Sequence, residues 1–256
     1  MSEKKILIKG IESSFKIEGE GKPLLILHGW GAGSGSWTEV IKRLSDKGYK
    51  VICPDFPGFG KSQTPPKAWS VSDYLNWLSD FTNHLNLDKF YLIGHSFGGR
   101  IAIKFAGKYP ERLEKLILCS PAGIKMKFGL KTSLISLIAE FGKVAFSFKF
   151  LRIFKDTARG IFYVFLRSKD YVKAKGVMRE TVKKVIEEDL SSYLSEINSN
   201  TLIIWGRKDK MVPVEYADAF KKSIKDSKLE ILNGVGHSPH LEAPEKLSEI
   251  IIKFLS

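Results

Sequence analysis

The chain has 256 residues, enough for one sizeable domain with a large buried core. Its 43% hydrophobic and 27% charged residues are ordinary for a globular protein and exclude a disordered or low-complexity chain. A formal net charge of +13 would suit an acidic partner, but no nucleic-acid recognition motif accompanies it. The opening Met1-Ser2-Glu3-Lys4-Lys5-Ile6 lacks the apolar region of a signal peptide, and no unbroken run of ~18 apolar residues suggests a membrane span, so a cytoplasmic protein is expected. Only Cys53 and Cys119 occur, each within or at the end of an apolar strand pattern. They read as buried free thiols, with a disulfide between them left open.

In chain order, Ile6-Leu7-Ile8 and Phe15-Lys16-Ile17 suggest an opening antiparallel pair. Leu24 to Leu27 reads as a buried strand, followed by a helix near Trp37 to Lys47 and a strand over Lys50 to Cys53. A helix near Val71 to Leu85 leads to a strand at Phe90 to Ile93, then to a second helix and a strand at Leu113 to Cys119. Such alternation predicts an α/β fold, a mostly parallel sheet flanked by helices. The alternation stops near Gly123 and resumes at Asn200, which predicts a core of residues 1–123 and 197–256 interrupted by a helical insertion over 124–196.

The most telling stretch is Gly94-His95-Ser96-Phe97-Gly98, between an apolar strand and a helical pattern. G-x-S-x-G in that setting is a nucleophile elbow, with Ser96 on a strained turn above a helix N-terminus that favours developing negative charge. A serine hydroxyl attacks well only when a base takes its proton and an acid orients that base. Thr201 to Trp205 reads as a strand that ends in Gly206-Arg207-Lys208-Asp209, and Leu229 to Leu232 runs into Gly234-Val235-Gly236-His237. Ser96, Asp209 and His237 thus follow successive strands in the order Ser…Asp…His. Among Arg207, Lys208 and Lys210, Asp209 also admits the plainer reading of a loop carboxylate in an ion pair. His240 is the rival base, otherwise packing near the site or capping a helix that starts around Glu242; His84 reads as surface, and His28 as fixing a loop by hydrogen bonding.

The glycine-rich stretch after the Leu24–Leu27 strand, His28-Gly29-Trp30-Gly31, can aim backbone N–H groups at a ligand. It matches neither dinucleotide nor nucleotide phosphate-loop patterns. An acyl intermediate needs two donors for its oxyanion, and the N–H groups of Phe97 and Trp30 are the natural pair. With Asp55-Phe56-Pro57-Gly58-Phe59-Gly60-Lys61-Ser62, these ordered motifs make nearly the whole chain resemble the α/β-hydrolase superfamily, in its compact single-chain branch of esterases. The resemblance implies an α/β-hydrolase fold with a helical cap, Ser96 as nucleophile, His237 as base, Asp209 as its orienter, and Trp30 and Phe97 as the oxyanion hole. It implies carboxylic-ester hydrolysis without metal or organic cofactor. Ser96 argues against those relatives that carry Asp at the nucleophile position.

The insertion is distinctive. Residues 124–195 carry 15 Lys or Arg against 7 Asp or Glu, which is +8 of the formal +13. They also hold phenylalanines 128, 141, 146, 148, 150, 154, 162 and 165. The plain reading is a lid with its aromatics inward and its lysines in water. An apolar acyl-binding roof is compatible with it, and a basic surface for an acidic carrier protein or anionic interface is the sharper alternative. That alternative resembles pimeloyl-carrier methyl esterases. Another is a carbon–carbon bond hydrolase of ring-cleavage products, against which count Tyr193, His95 and Ser238 where those relatives carry Arg, Asn and Trp. A non-catalytic hydrolase-fold binding protein is the reading from a different class; an intact Ser, Asp and His set speaks against it.

Overall fold

The computed structural model describes residues 1–124 and 175–256. The expected phenylalanine roof, and Lys169 and Lys173 of the basic surface, lie outside the described residues.

Eight strands form one sheet in the order β1-β2-β4-β3-β5-β6-β7-β8. β1 (Ser2–Ile8) and β2 (Ile11–Glu18) pair antiparallel, and β2 pairs antiparallel with β4 (Tyr49–Pro54). From β4 onward every neighbouring pair is parallel: β3 (Lys22–Leu27), β5 (Phe90–His95), β6 (Leu113–Cys119), β7 (Thr201–Gly206) and β8 (Ser227–Leu232). The opening pair is longer than its apolar runs suggest, because register rather than hydropathy extends it, from Ser2 opposite Ile17 to Ile8 opposite Ile11. A cross-strand Lys5–Glu12 ion pair at 2.7 Å adds to it.

The central strands are apolar on both faces, as expected of a covered parallel sheet. Side chains alternate along each strand, so Leu25 and Leu27 face one core while Leu24 and Ile26 face the other. The first core is closed by α2 (Val71–His84), α3 (Phe97–Lys108) and α6 (Glu215–Ser223), the second by α1 (Thr38–Ser45) and α8 (Pro244–Leu255). α2 opens with a capping box: Asp73 N–H donates to Ser70 Oγ, and Ser70 N–H donates to Asp73 Oδ2. Cys53 and Cys119 are free and buried in the second core. No helix among the described residues is long and apolar enough to cross a membrane.

The chain moves outward from β3 to β4 and then crosses back to β5 on the other side of β3. That reversal leaves a crevice at the carboxyl ends of β3 and β5, where open α/β sheets place ligands. The β3 end carries His28-Gly29-Trp30, and the β5 end carries Ser96.

The core is larger than the expected 1–123 and 197–256. Gly176–Ser256 groups with Met1–Ile124 in one compact unit, so residues 176–196 of the expected insertion pack with the core. α4 (Gly176–Glu187) and the short α5 (Ser191–Leu194) bury Val182, Val185, Leu190 and Leu194. Trp69 N–H donates to Thr181 Oγ1 at 3.1 Å, and Leu190 N–H donates to the Gly123 carbonyl at 2.8 Å. Lys104 of α3, only 8% exposed, pairs with Glu188, donates to Ser72 Oγ and lies over the Tyr193 ring. Arg100, one turn earlier, donates to the Glu188 carbonyl. Helical periodicity shows that such a segment has an apolar face; it does not say what the face rests on.

Glu188 is partly exposed, but removing it would strand the buried Lys104 charge. Glu188→Gln should therefore lower unfolding free energy by about 3 kcal/mol, whereas Lys104→Met with Glu188→Leu should recover much of the loss. Urea unfolding of the three proteins checks this; equal stability of wild type and the single variant would refute it.

Candidate active site

Ser96 stands between β5 and α3 with φ 51° and ψ −110°, a region that non-glycine residues rarely adopt. Crowding around it leaves the turn no alternative. A Cβ on Gly94 would come within 2.6 Å of the Ala102 Cβ, and one on Gly99 within 2.7 Å of the Pro121 Cβ. A Cβ on Gly98 would collide with the Leu27 carbonyl oxygen. The backbone at Ser96 is also tied on both sides: its N–H donates to the Cys119 carbonyl at 3.2 Å, and its carbonyl accepts from Ala122 N–H at 3.1 Å. Strain is thus held by packing and hydrogen bonds on every side.

The sequence-selected acid and base reach this serine. His237 Nε2 is 3.0 Å from Ser96 Oγ, and His237 Nδ1 is 2.8 Å from Asp209 Oδ2. The other oxygen of Asp209 accepts from the N–H groups of Met211 at 2.8 Å and Val212 at 2.9 Å. Asp209 is therefore a buried carboxylate anchored to its own loop, which disposes of the surface ion-pair alternative. Lys208 N–H donates to the Val235 carbonyl, binding the acid loop to the base loop; a Cβ on Gly206 would collide with the Gly236 carbonyl oxygen. Glu242 holds the base loop by accepting from Gly236 N–H at 2.6 Å and Ser238 N–H at 3.0 Å. Sequence reasoning missed Glu242; its signal is an acid placed to reach back to the N–H groups that flank a loop histidine.

Phe97 opens α3, so its N–H has no partner within the helix. Trp30 lies on the loop after β3, and its ring meets Phe97 edge-on at 5.2 Å and Phe59 at 4.7 Å. The two proposed oxyanion donors therefore belong to neighbouring residues. His28 fixes this loop, as the sequence suggests. Its Nε2 accepts from Phe56 N–H at 3.0 Å, which makes Nδ1 the donor to the Gly29 carbonyl at 2.8 Å. Asp55, the first residue of the Asp55–Ser62 motif, clasps two loops by accepting from Ser34 N–H at 2.5 Å and Lys61 N–H at 2.8 Å.

His240 does not take the base position. It is 3% exposed, stacks on Trp37 at 4.3 Å and contacts His95 at 4.6 Å. It lies within the short α7 (Pro239–Glu242) rather than capping a helix. His84 ends α2 and makes only a local contact with the Asp80 carbonyl. Burial holds His28, His95 and His240 below the usual histidine range, His240 down to about 3, with neighbouring imidazoles adding to the effect for His95 and His240. Of the basic residues singled out in 169–184, Lys183 pairs with Glu180 and Lys184 donates to the Ala68 carbonyl.

Comparison with known proteins identifies the fold. The sequence model of the alpha/beta hydrolase fold matches residues 22–148 and 139–244. A 2-hydroxy-6-oxo-6-phenylhexa-2,4-dienoate hydrolase of Comamonas testosteroni is 30% identical, over 93% of this chain and 88% of its own length. Among solved structures, an esterase from Exiguobacterium antarcticum is 25% identical with a TM-score of 0.76, covering 98% of each chain. A serine hydrolase involved in carbazole degradation is 26% identical with a TM-score of 0.76, covering 99% of this chain and 98% of the other. The chain belongs to the α/β-hydrolase family.

The buried imidazoles make stability pH-dependent. Each takes a proton less readily in the native protein than in the unfolded chain, so below about pH 6.5 the unfolded state binds more protons and stability falls as pH falls. For His240 that loss should run from about 6.5 down to about 3, at about 1.4 kcal/mol per pH unit. His240→Phe, which keeps a ring against Trp37, should flatten the decline of melting temperature between pH 6.5 and 4.5. An unchanged slope would show that His240 is not the source.

Proposed function

We propose that the protein is a serine hydrolase that cleaves carboxylic esters with apolar acyl groups through an acyl-enzyme intermediate. The observation that carries this reading is the unbroken hydrogen-bonded chain from Ser96 Oγ through His237 to Asp209. Ser96 Oγ attacks the ester carbonyl carbon while His237 Nε2 takes the hydroxyl proton. Asp209 keeps the proton of His237 on Nδ1 and balances the imidazolium that forms. The tetrahedral oxyanion is met by the N–H groups of Trp30 and Phe97. Collapse expels the alcohol, which leaves with the proton from His237. Water then repeats the sequence on the acyl-enzyme, with His237 as base, and releases the acid and free Ser96. The aromatic cluster of Trp30, Phe59 and Phe97 beside the serine supports an apolar acyl group.

One second reading has a specific observation in its favour. Several similar proteins are named as dienoate hydrolases, which act on carbon–carbon bonds. Tyr193, His95 and Ser238 stand against it here. Activity on p-nitrophenyl esters of rising chain length, measured against a 2-hydroxy-6-oxo-dienoate, decides between the two. Turnover of the dienoate alone would replace the ester reading.

Ser96→Ala should abolish ester hydrolysis and labelling by a phosphonate probe while leaving the fold intact. His237→Ala should be comparably severe, with kcat losses on the order of 10⁴-fold or more, and Asp209→Asn somewhat less so. His240→Ala should be far milder; equal damage at His240 and His237 would reopen the choice of base. A phosphonate probe that spares Ser96 in the folded wild type would instead favour the binding-protein reading.

Charge can be tested separately. If the basic residues only keep the protein in solution, kcat/KM on neutral esters should vary little between low and physiological salt, where the screening length is about 8 Å. If they recruit an acidic carrier protein or anionic interface, kcat/KM on an acyl group presented there should instead fall steeply over the same range.

A further inference from the structure

Four of the chain's five histidines, His28, His95, His237 and His240, gather around the site, and one of them contacts the base through its backbone. We propose that His95 is a positioning residue for His237, fixing its peptide plane from behind so that the ring meets Ser96 and Asp209 together. This rests on the reading of Ser96, His237 and Asp209 given above.

His95 Nε2 lies 2.8 Å from the His237 carbonyl oxygen. A carbonyl oxygen only accepts, so Nε2 carries the proton and Nδ1 is left with a lone pair. That Nδ1 is buried, has no hydrogen-bond partner among the described residues, and faces Gly29, whose missing Cβ would come within 2.9 Å of it. A protonated His95 would bury a second N–H with nothing to accept it. His28, His237 and His240 are the titratable groups that act on His95, and each would repel a charge there. The ring therefore stays neutral when His237 becomes an imidazolium, and adds a hydrogen bond without adding repulsion.

Location gives this bond its effect. His95 is adjacent to the nucleophile, packs on the Gly29 turn that precedes Trp30, and bonds the base loop. Glu242 already holds the N–H groups on either side of His237, and His95 holds the carbonyl between them. His240 and Trp37 back the His95 ring at 4.6 and 6.1 Å. With the peptide fixed, the imidazole has one orientation that serves both Asp209 and Ser96. Without that bond, a loop with Gly234 and Gly236 just ahead of His237 would have several.

Three variants separate hydrogen bonding from bulk. His95→Gln can place an amide N–H where Nε2 was; His95→Asn has the donor but not the reach; His95→Met has the bulk but no donor. Two measurements apply to each: the rate at which a phosphonate probe labels Ser96, and the low-field proton resonance of His237 Nδ1–H followed with pH. Thermal melting establishes that each variant is folded. We expect His95→Met and His95→Asn to slow labelling by about 10²-fold and to broaden or shift the resonance, and His95→Gln to stay close to wild type in both. If Met does not fold, Asn carries the comparison. Folded Met or Asn variants with wild-type rate and resonance would overturn the proposal, as would Gln falling as far as Met. If the probe spares Ser96 in the wild type, the hydrolase reading fails, and the resonance still tests whether His95 holds His237.

Discussion

The nucleophile turn depends on how closely α3 approaches the ends of β3 and β5. Gly98 lies against the Leu27 carbonyl, and Gly98 N–H donates to the His28 carbonyl at 3.1 Å. That contact drives the chain into the positive-φ conformation at Ser96 and aims the serine away from the sheet. It also sets Phe97 beside Trp30, so one close approach determines both the Ser96 turn and the residues proposed for an oxyanion. A larger side chain at Gly94, Gly98 or Gly99 would open all of these at once.

Behind the turn, each loop is held by a buried side chain bonding to backbone. Asp55 clasps the loops at Ser34 and Lys61, and Asp209 holds the N–H groups of Met211 and Val212. His28 joins the β3 and β4 ends, and His95 joins the nucleophile strand to the base loop. Carboxylates buried there find N–H donors for their oxygens, and burial among one another disfavours the charged form of the imidazoles. The site therefore sorts its polar groups by burial: a carboxylate anchored to backbone behind His237, buried rings around it, and the partly exposed Ser96 hydroxyl in front.

Much of this is legible in the sequence, for physical reasons. The triad candidates could be picked out because each follows an apolar run at a strand end, and parallel strands bring their carboxyl ends to one edge. The glycines could be read because only a residue without Cβ fits there. Other features escape that logic. The extent of β1 and β2 depends on pairing register, which a run of Lys, Glu and Ser conceals. α4 and α5 carry amphipathic periodicity, but only tertiary contact shows Val185 and Leu190 in the core beside α3, and Glu188 paired with Lys104. Glu242 and His95 act through backbone atoms of a distant loop, and no residue pattern announces such a bond.

The same economy of side chains bears on the leaving group. An alkoxide can take its proton directly from the His237 imidazolium, so ester cleavage needs no further acid. A carbon leaving group must be protonated at carbon, which calls for a proton delivered to a different position. Around His237 the other imidazoles are His95, whose one N–H is committed to the His237 carbonyl, and His240, stacked against Trp37 and barely exposed. Neither is free to deliver a proton into the crevice. Among the imidazoles gathered there, His237 alone meets Ser96 Oγ, so it is the one placed to hand a proton to whichever atom leaves.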